Sequence, residues 1–253
     1  MQPNGNAANQ RTGFRYYDLM VGGMVGVLLC SNLIGPAKTS IVPAAWPLIG
    51  GLVFGTGNLF FPISYIFDDV LTEVYGYSRA RRATWAGFGA LLFACLMSQV
   101  IIRMPVAPNE PFNHVLQPAL ETVFGATWRI ALASLVGFWV GDFVNAFVMA
   151  KMKLWTGGRW LWTRTIGSTI VGEGVDSLTF YPIAFMGIWE SQTLIKVIAF
   201  NWTMKVIVET VLTPVTYAVV GFLKRRENVD TFDTDTNFNP FSLRDEGEVR
   251  EYR

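Results

Sequence analysis

Six apolar runs, each long enough to cross a lipid bilayer, constrain this chain more than any other feature. They extend from about Tyr16 to Gly35, Trp46 to Phe67, Ala83 to Ile102, Trp128 to Ala150, Thr165 to Ile188 and Leu194 to Leu223. A helix needs about 20 residues to cross a hydrocarbon core about 30 Å thick. Within lipid every backbone N–H and C=O must find a partner inside the protein, and a helix supplies all of them locally. Composition agrees: the chain is 51% hydrophobic and 15% charged, against about 25% charged in a typical soluble domain. The expected fold is an all-α integral membrane protein of six transmembrane helices.

The basic residues set an orientation. Arg11 and Arg15 precede the first run, and Arg79, Arg81 and Arg82 follow the second. Lys151, Lys153, Arg159 and Arg164 lie between the fourth and fifth, and Lys224, Arg225 and Arg226 follow the sixth. The alternate loops hold Lys38, Arg103 and Lys196. Such a bias places the basic loops, and both termini, in the cytoplasm. Residues 15–226 read as one transmembrane domain. Residues 1–14 read as a disordered extension and residues 227–253, with eight acids and three bases, as an acidic disordered tail. Four prolines between Arg103 and Thr127 predict an outer loop that is irregular or only briefly helical. Trp155, Trp160 and Trp162 suit a headgroup-level belt.

Several function classes are disfavoured. A net charge of +1 and the lack of any recognisable motif argue against nucleic acid as a partner. The two cysteines, Cys30 and Cys95, lie in apolar runs, and His114 stands alone, so no metal site is expected. There is no Walker A, GxSxG or HExxH sequence, and no cofactor is expected.

The informative residues are ionisable groups inside or at the ends of the runs: Asp68, Asp69, Glu73, Asp142, Glu173, Asp176, Lys205 and Glu209. A charge at the bilayer centre costs a few kcal/mol or more unless paired or hydrated. Seven acids against one base cannot be balanced by pairing within this set, so the surplus must be protonated, hydrated or matched to a ligand. Helical spacing gives Asp69 and Glu73 one face, Asp142 and Asn145 another, and Glu173, Asp176 and Ser177 a polar stripe. Asp176 lies about 16 Å into its helix, near the midplane. Lys205 and Glu209 either neutralise each other or share a site, and Glu73 either binds a ligand or pairs with Arg79, Arg81 or Arg82. Gly172, Gly174, Pro182, Pro62 and Pro214 predict close packing or helix breaks beside a cavity. Phe67, Phe143, Phe180 and Trp202 are candidates to stack on a flat ligand. Three classes remain: an importer of a flat polar heterocycle, a proton or cation conductor, and, least supported, an intramembrane enzyme.

The stretch Ile63-Ser64-Tyr65-Ile66-Phe67-Asp68-Asp69-Val70-Leu71-Thr72-Glu73-Val74-Tyr75-Gly76, followed by Arg79, Arg81 and Arg82, resembles the hallmark of the queuosine precursor transporters. Gly172-Glu173-Gly174-Val175-Asp176-Ser177 and the Lys205–Glu209 pair are similar to that family too. The resemblance covers about Arg15 to Arg226. It implies a six-helix fold like the substrate-binding subunits of vitamin transporters, in a bacterial inner membrane. It also implies uptake of queuosine precursors: 7-cyano-7-deazaguanine, 7-aminomethyl-7-deazaguanine or queuine, for tRNA modification. Another purine-like or vitamin-like cargo stays open, as do a homodimer and a separate energising subunit. Asp176 or Glu173 is then expected to read the guanine-like edge. Asp69, Asp142 or Glu209 would supply a second anchor or a proton path, with Lys205 holding Glu209 ionised.

Overall fold

The computed structural model describes residues 14–34, 39–41, 43, 45, 53–56, 60–107, 109–125, 128–242, 244 and 248–251. All six apolar runs contain helix. The first forms α1 (Tyr17–Leu29), prolonged by a wide π-turn over Cys30–Ile34. The second forms α2 (Phe61–Val70), which starts at Pro62 and runs into another π-turn, Leu71–Tyr75. Proline in the first turn is tolerated because its missing N–H would have no helical acceptor there. The start of that second run, residues 46–52 and 57–59, lies outside the described residues. The third gives α3 (Tyr77–Arg103), the fourth α5 (Trp128–Trp155), the fifth α6 (Leu161–Phe185) and the sixth α7 (Ser191–Glu227). A short antiparallel pair, β1 (Thr39–Ile41) and β2 (Val53–Gly55), sets Thr39 opposite Gly55.

Three of these helices are long and apolar enough to cross a membrane: Tyr77–Arg103, Leu132–Trp155 within α5, and Ser191–Glu227. Tyr17–Leu33 is apolar but shorter. At 25 residues α6 also has the length, and its polar stripe is what lowers its apolarity. Side chains such as Phe93, Leu96, Leu178, Ile207 and Val211 point outward and are exposed, as a lipid-facing surface requires.

The helices close into a ring. Packing runs α1–α3–α5–α6–α7–α2 and back to α1, with α5–α6 the most extensive seam. Glycines make that seam tight. A methyl group at Gly141 would stand 2.8 Å from Asp176 Cβ, and one at Gly172 would stand 2.7 Å from Asn145 Cβ. Small residues of this kind let transmembrane backbones approach closely. The glycines and prolines of segments five and six do not break their helices: Pro182 lies inside a continuous α6, and Pro214 inside a continuous α7. The interruptions fall in segments one and two instead. The proline-rich loop between α3 and α5 contains the brief helix α4 (Asn113–Phe124), in which no residue is buried.

The core concentrates at one end. Val70, Leu71, Val74, Tyr75, Tyr77, Met149, Leu161, Val220 and Leu223 are buried there together. The start of α1 and the end of α7 meet at this same end. The Glu227 carboxylate accepts the backbone N–H groups of Arg15 and Tyr16 at 2.9 and 2.7 Å, and the Tyr75 hydroxyl at 3.1 Å. It thereby satisfies donors left over at the start of α1.

The acidic tail is folded where it is described, which corrects the expectation of disorder. β3 (Asp230–Phe232) pairs antiparallel with β4 (Glu248–Arg250), and the intervening chain lies across the start of α3. Thr231 donates to the Val74 carbonyl at 2.9 Å. Asp233 accepts the Tyr77 N–H at 3.1 Å and the Thr236 hydroxyl at 2.8 Å. Burial pushes the Asp233 carboxyl above its usual range, and these two donors offset part of that rise. Arg81, wholly buried, donates to the carbonyls of Asn237, Asn239 and Arg244. Phe241 packs against Trp85 and Trp139. Local acidity suggested a solvated segment, but here the polar groups serve backbone donors and acceptors. Residues 1–13 lie outside the described residues.

Gly76 joins the π-turn to α3 with φ 85°, and a Cβ there would meet Thr231 Cγ2 at 2.6 Å. Gly76→Ala is therefore expected to destabilise the fold by at least about 1–2 kcal/mol. The check is a lower thermal midpoint in detergent, together with faster proteolysis within residues 228–242.

Candidate functional site

The buried acids separate into two groups with different surroundings. At the core end Glu73, with no exposed side-chain surface, sits in the π-turn between α2 and α3. Arg164 from the start of α6 grips it with two N–H bonds, 2.7 and 2.8 Å. Lys224 from the end of α7 reaches it at 2.5 Å and Lys153 from the end of α5 at 3.3 Å. Lys153 also donates to the Glu73 carbonyl at 2.6 Å. Asp230 of β3 shares both lysines, at 2.6 and 2.7 Å. Three cations and two carboxylates thus tie together the π-turn, three helices and the tail. The planar Arg164 fork matches one carboxylate edge, the geometry that makes such pairs strong.

Deeper in the bundle lies a second, more open cluster. Lys205 of α7 bridges Glu173 and Asp176 of α6; its ammonium donates to both, with Asp176 at 2.7 Å. These three side chains keep 14%, 18% and 23% of their surface accessible. That partial access marks the trio as reachable, in contrast to Glu73. Tyr65 of α2 brings its hydroxyl beside Glu173. Gly137 and Gly141 of α5 lie directly against Asp176, leaving space where any larger residue would displace it.

Around the trio stand four more acids. Asp142 of α5 accepts the Thr84 hydroxyl from α3. Asp68 accepts the Asn145 amide from α5, and Asp68 and Asp142 are themselves neighbours. Asp69 of α2 faces Glu209 of α7.

Most of the candidates therefore converge. Asp68, Asp69, Asp142, Asn145, Glu173, Asp176, Lys205 and Glu209 come from four helices that meet around one interior. Ser177 is buried beside them. Glu73 does not join this group, nor does it pair with Arg79, Arg81 or Arg82; its three cations come from α5, α6 and α7. Lys205 does not hold Glu209, because two α6 carboxylates hold Lys205 instead. The aromatics scatter. Trp202 is 38% exposed and donates its indole N–H to the Ile170 carbonyl at 2.9 Å, bracing the outer α6–α7 seam. Phe67 packs on Gly23 of α1, Phe143 packs on Trp85 and Trp139, and Phe180 packs against Tyr181 and Phe185.

Tyr65, Thr84, Lys153, Arg164 and Lys224 were not among the candidates. Tyr65 carried a signal, since it stands three residues before Asp68 on one helix face. The three cations were masked by their positions at the edges of the apolar runs, where they read as loop charges.

A family model described as "Putative vitamin uptake transporter" matches residues 55–219. A protein of Bacillus subtilis (strain 168) named "Probable queuosine precursor transporter" is 31% identical to this chain over 178 residues, 70% of this chain and 76% of that one. No solved structure matches.

Replacing Glu73 by Gln leaves three cations buried around a neutral amide. The expected cost is about 3–5 kcal/mol, as for breaking other buried ion networks, read as a lower thermal midpoint in detergent. The double variant Glu73→Gln with Arg164→Met should lose less than the two single losses combined, since both remove one interaction.

Proposed function

Since the chain belongs to the vitamin uptake transporter family, whose members are transporters and not enzymes, we propose that it imports 7-deazaguanine bases, the precursors of queuosine. The observation that carries this reading is the accessible trio of Lys205, Glu173 and Asp176. A deazaguanine presents two adjacent N–H donors, on the ring and the exocyclic amine, and a carbonyl oxygen next to them. One carboxylate accepts the two parallel N–H bonds. The Lys205 ammonium then donates to the carbonyl. The second carboxylate, with Tyr65 beside it, balances the positive charge of an aminomethyl substituent where one is present. In the unloaded protein Lys205 fills the donor role for both carboxylates, so neither is left bare.

Six crossings and cytoplasmic termini belong to the same proposal. The shared end of α1 and α7, fixed by Glu227, supports an even number of crossings. The basic bias supports the inner face of the cell membrane as that end. A fluorescent protein fused after Arg253 is expected to fluoresce, and alkaline phosphatase fused there to stay inactive. The opposite pair of results would overturn the orientation.

Asp176→Asn removes one charged acceptor and leaves the Lys205–Glu173 pair. Loss of a charge-assisted hydrogen bond costs about 1.5–3 kcal/mol. Uptake of radiolabelled deazaguanine should therefore fall at least about tenfold while the thermal midpoint stays near wild type. Unchanged uptake would remove Asp176 from the site. A thermal-shift comparison of deazaguanines with adenine is the companion measurement, because only bound ligands raise the midpoint.

A further inference from the structure

Two interior carboxyls have no part in the base recognition just described. Asp69 of α2 is 1% exposed and Glu209 of α7 is 0% exposed. They face each other, and the Asn145 amide is a donor at hand beside Asp69; the Glu209 oxygens meet no amide, hydroxyl or ammonium donor among the described residues. Among the described residues, the strongest neighbours of each are acids or neutral groups. Asp68, Glu73 and Asn145 stand beside Asp69. Glu173 of α6 stands beside Glu209, and Tyr65 of α2 also faces it. Asp18 is the charge α1 carries, and it is exposed in the first turn.

The cations within reach are committed elsewhere. Lys205, one turn before Glu209 on the same helix, is held by Glu173 and Asp176. Lys153, Arg164 and Lys224 are held by Glu73 and Asp230. Two ionised carboxylates left bare against each other in a dry interior repel strongly and lack solvation. One proton shared between them removes both penalties. A second observation points the same way. The hydroxyls of Thr72 and Thr216 are buried without a partner. Thr216 lies seven residues after Glu209 on the same face of α7, and Thr72 lies three after Asp69, in the π-turn that follows α2. They add two unpaired buried polar groups to the segments that carry the acids.

We infer that Asp69 and Glu209 form the proton-carrying site of the importer, and that base entry is coupled to proton entry. The inference rests on the import reading. In each cycle one proton from the outer side forms an O–H bond on one carboxyl, hydrogen-bonded to the other. That O–H bond breaks when the proton leaves on the inner side, and nothing else is consumed. The protonated pair carries one negative charge fewer through the low-dielectric interior, which favours movement of the loaded carrier.

The test uses purified full-length protein in lipid vesicles with radiolabelled deazaguanine. An inward gradient of about one pH unit should drive up to about tenfold accumulation by wild type at one proton per base. Asp69→Asn and Glu209→Gln, tested singly, should lose gradient-driven accumulation. Both should keep exchange of labelled for unlabelled base at equal pH, which also shows that they fold. Asp176→Asn should lose both activities. If Glu209→Gln keeps wild-type accumulation, or if wild type exchanges base but ignores the gradient, the inference is overturned while import stands. If wild type neither accumulates nor exchanges the base, import itself fails. A substrate-free readout then judges the pair alone. Infrared spectra of wild type should contain a protonated-carboxyl C=O band that shifts in D₂O and is lost in the Asp69→Asn/Glu209→Gln double variant. Absence of that band from wild type rejects the proton site.

Discussion

A carboxylate with no access to water must find its compensating charge within a few ångströms, and Glu73 finds it on three separate helices. Breaking such a network by removing one member is far costlier than breaking a surface pair, because the remaining charges stay buried. The arrangement therefore acts as a structural constraint on the whole end of the bundle. Lys153 fixes the end of α5, Arg164 the start of α6 and Lys224 the end of α7. Asp230 then draws the tail onto the same point. The packed core of Tyr75, Tyr77, Met149, Leu161 and Leu223 surrounds this knot. Among the described residues, the opposite end has no equivalent. There Arg129 bonds the last carbonyls of α6, including Met186 O at 2.5 Å, but α4 has no buried residue.

This asymmetry organises the rest of the interior. With the core end held rigid, the acids nearer the middle of the bundle are free to differ in surroundings. Glu173 and Asp176 share a lysine and stay reachable. Asp68 and Asp142 take neutral donors, an amide and a hydroxyl. Asp69 and Glu209 face each other with no cation bound to either among the described residues. Residues of one charge type thus fall into three environments, set by which neighbouring helix faces them. The α5–α6 glycines matter here, since they bring Asn145 and Asp176 to a depth that larger residues would forbid.

Much of this was legible in the sequence. Run lengths gave the helices, and i, i+3 and i, i+4 spacings identified which acids share a face. Both signals are local, so they survive without knowledge of neighbours. What local spacing does not carry is the partner across a seam. Lys205 and Glu209 have the spacing of a pair, yet Lys205 turns to α6, because ring order and not sequence order decides adjacency. The same limit hid the partners of Glu73. Lys153, Arg164 and Lys224 sit just beyond where hydropathy ends each run, while the helices themselves continue past them. The tail was misread for a compositional reason. Its Asp, Thr and Asn resemble a solvated segment, and only the spaced aromatics Phe232, Phe238 and Phe241 hinted at a surface to pack on. The ring of Trp202 suits a flat ligand, but ring type says nothing about which side of a helix meets lipid.

The position of Lys224, 151 residues after Glu73, has a consequence for biosynthesis. When the π-turn of segment two leaves the ribosome, neither α5, α6 nor α7 yet exists. Glu73 must stay hydrated or protonated until Lys153 and Arg164 have been made, and it gains its third cation only with Lys224. Contacts so distant in sequence form late and slowly. Lys224 of α7 and Asp230 of β3 are therefore the last members to join the knot, and a ribosome stalled near residue 220 would release a chain that lacks both.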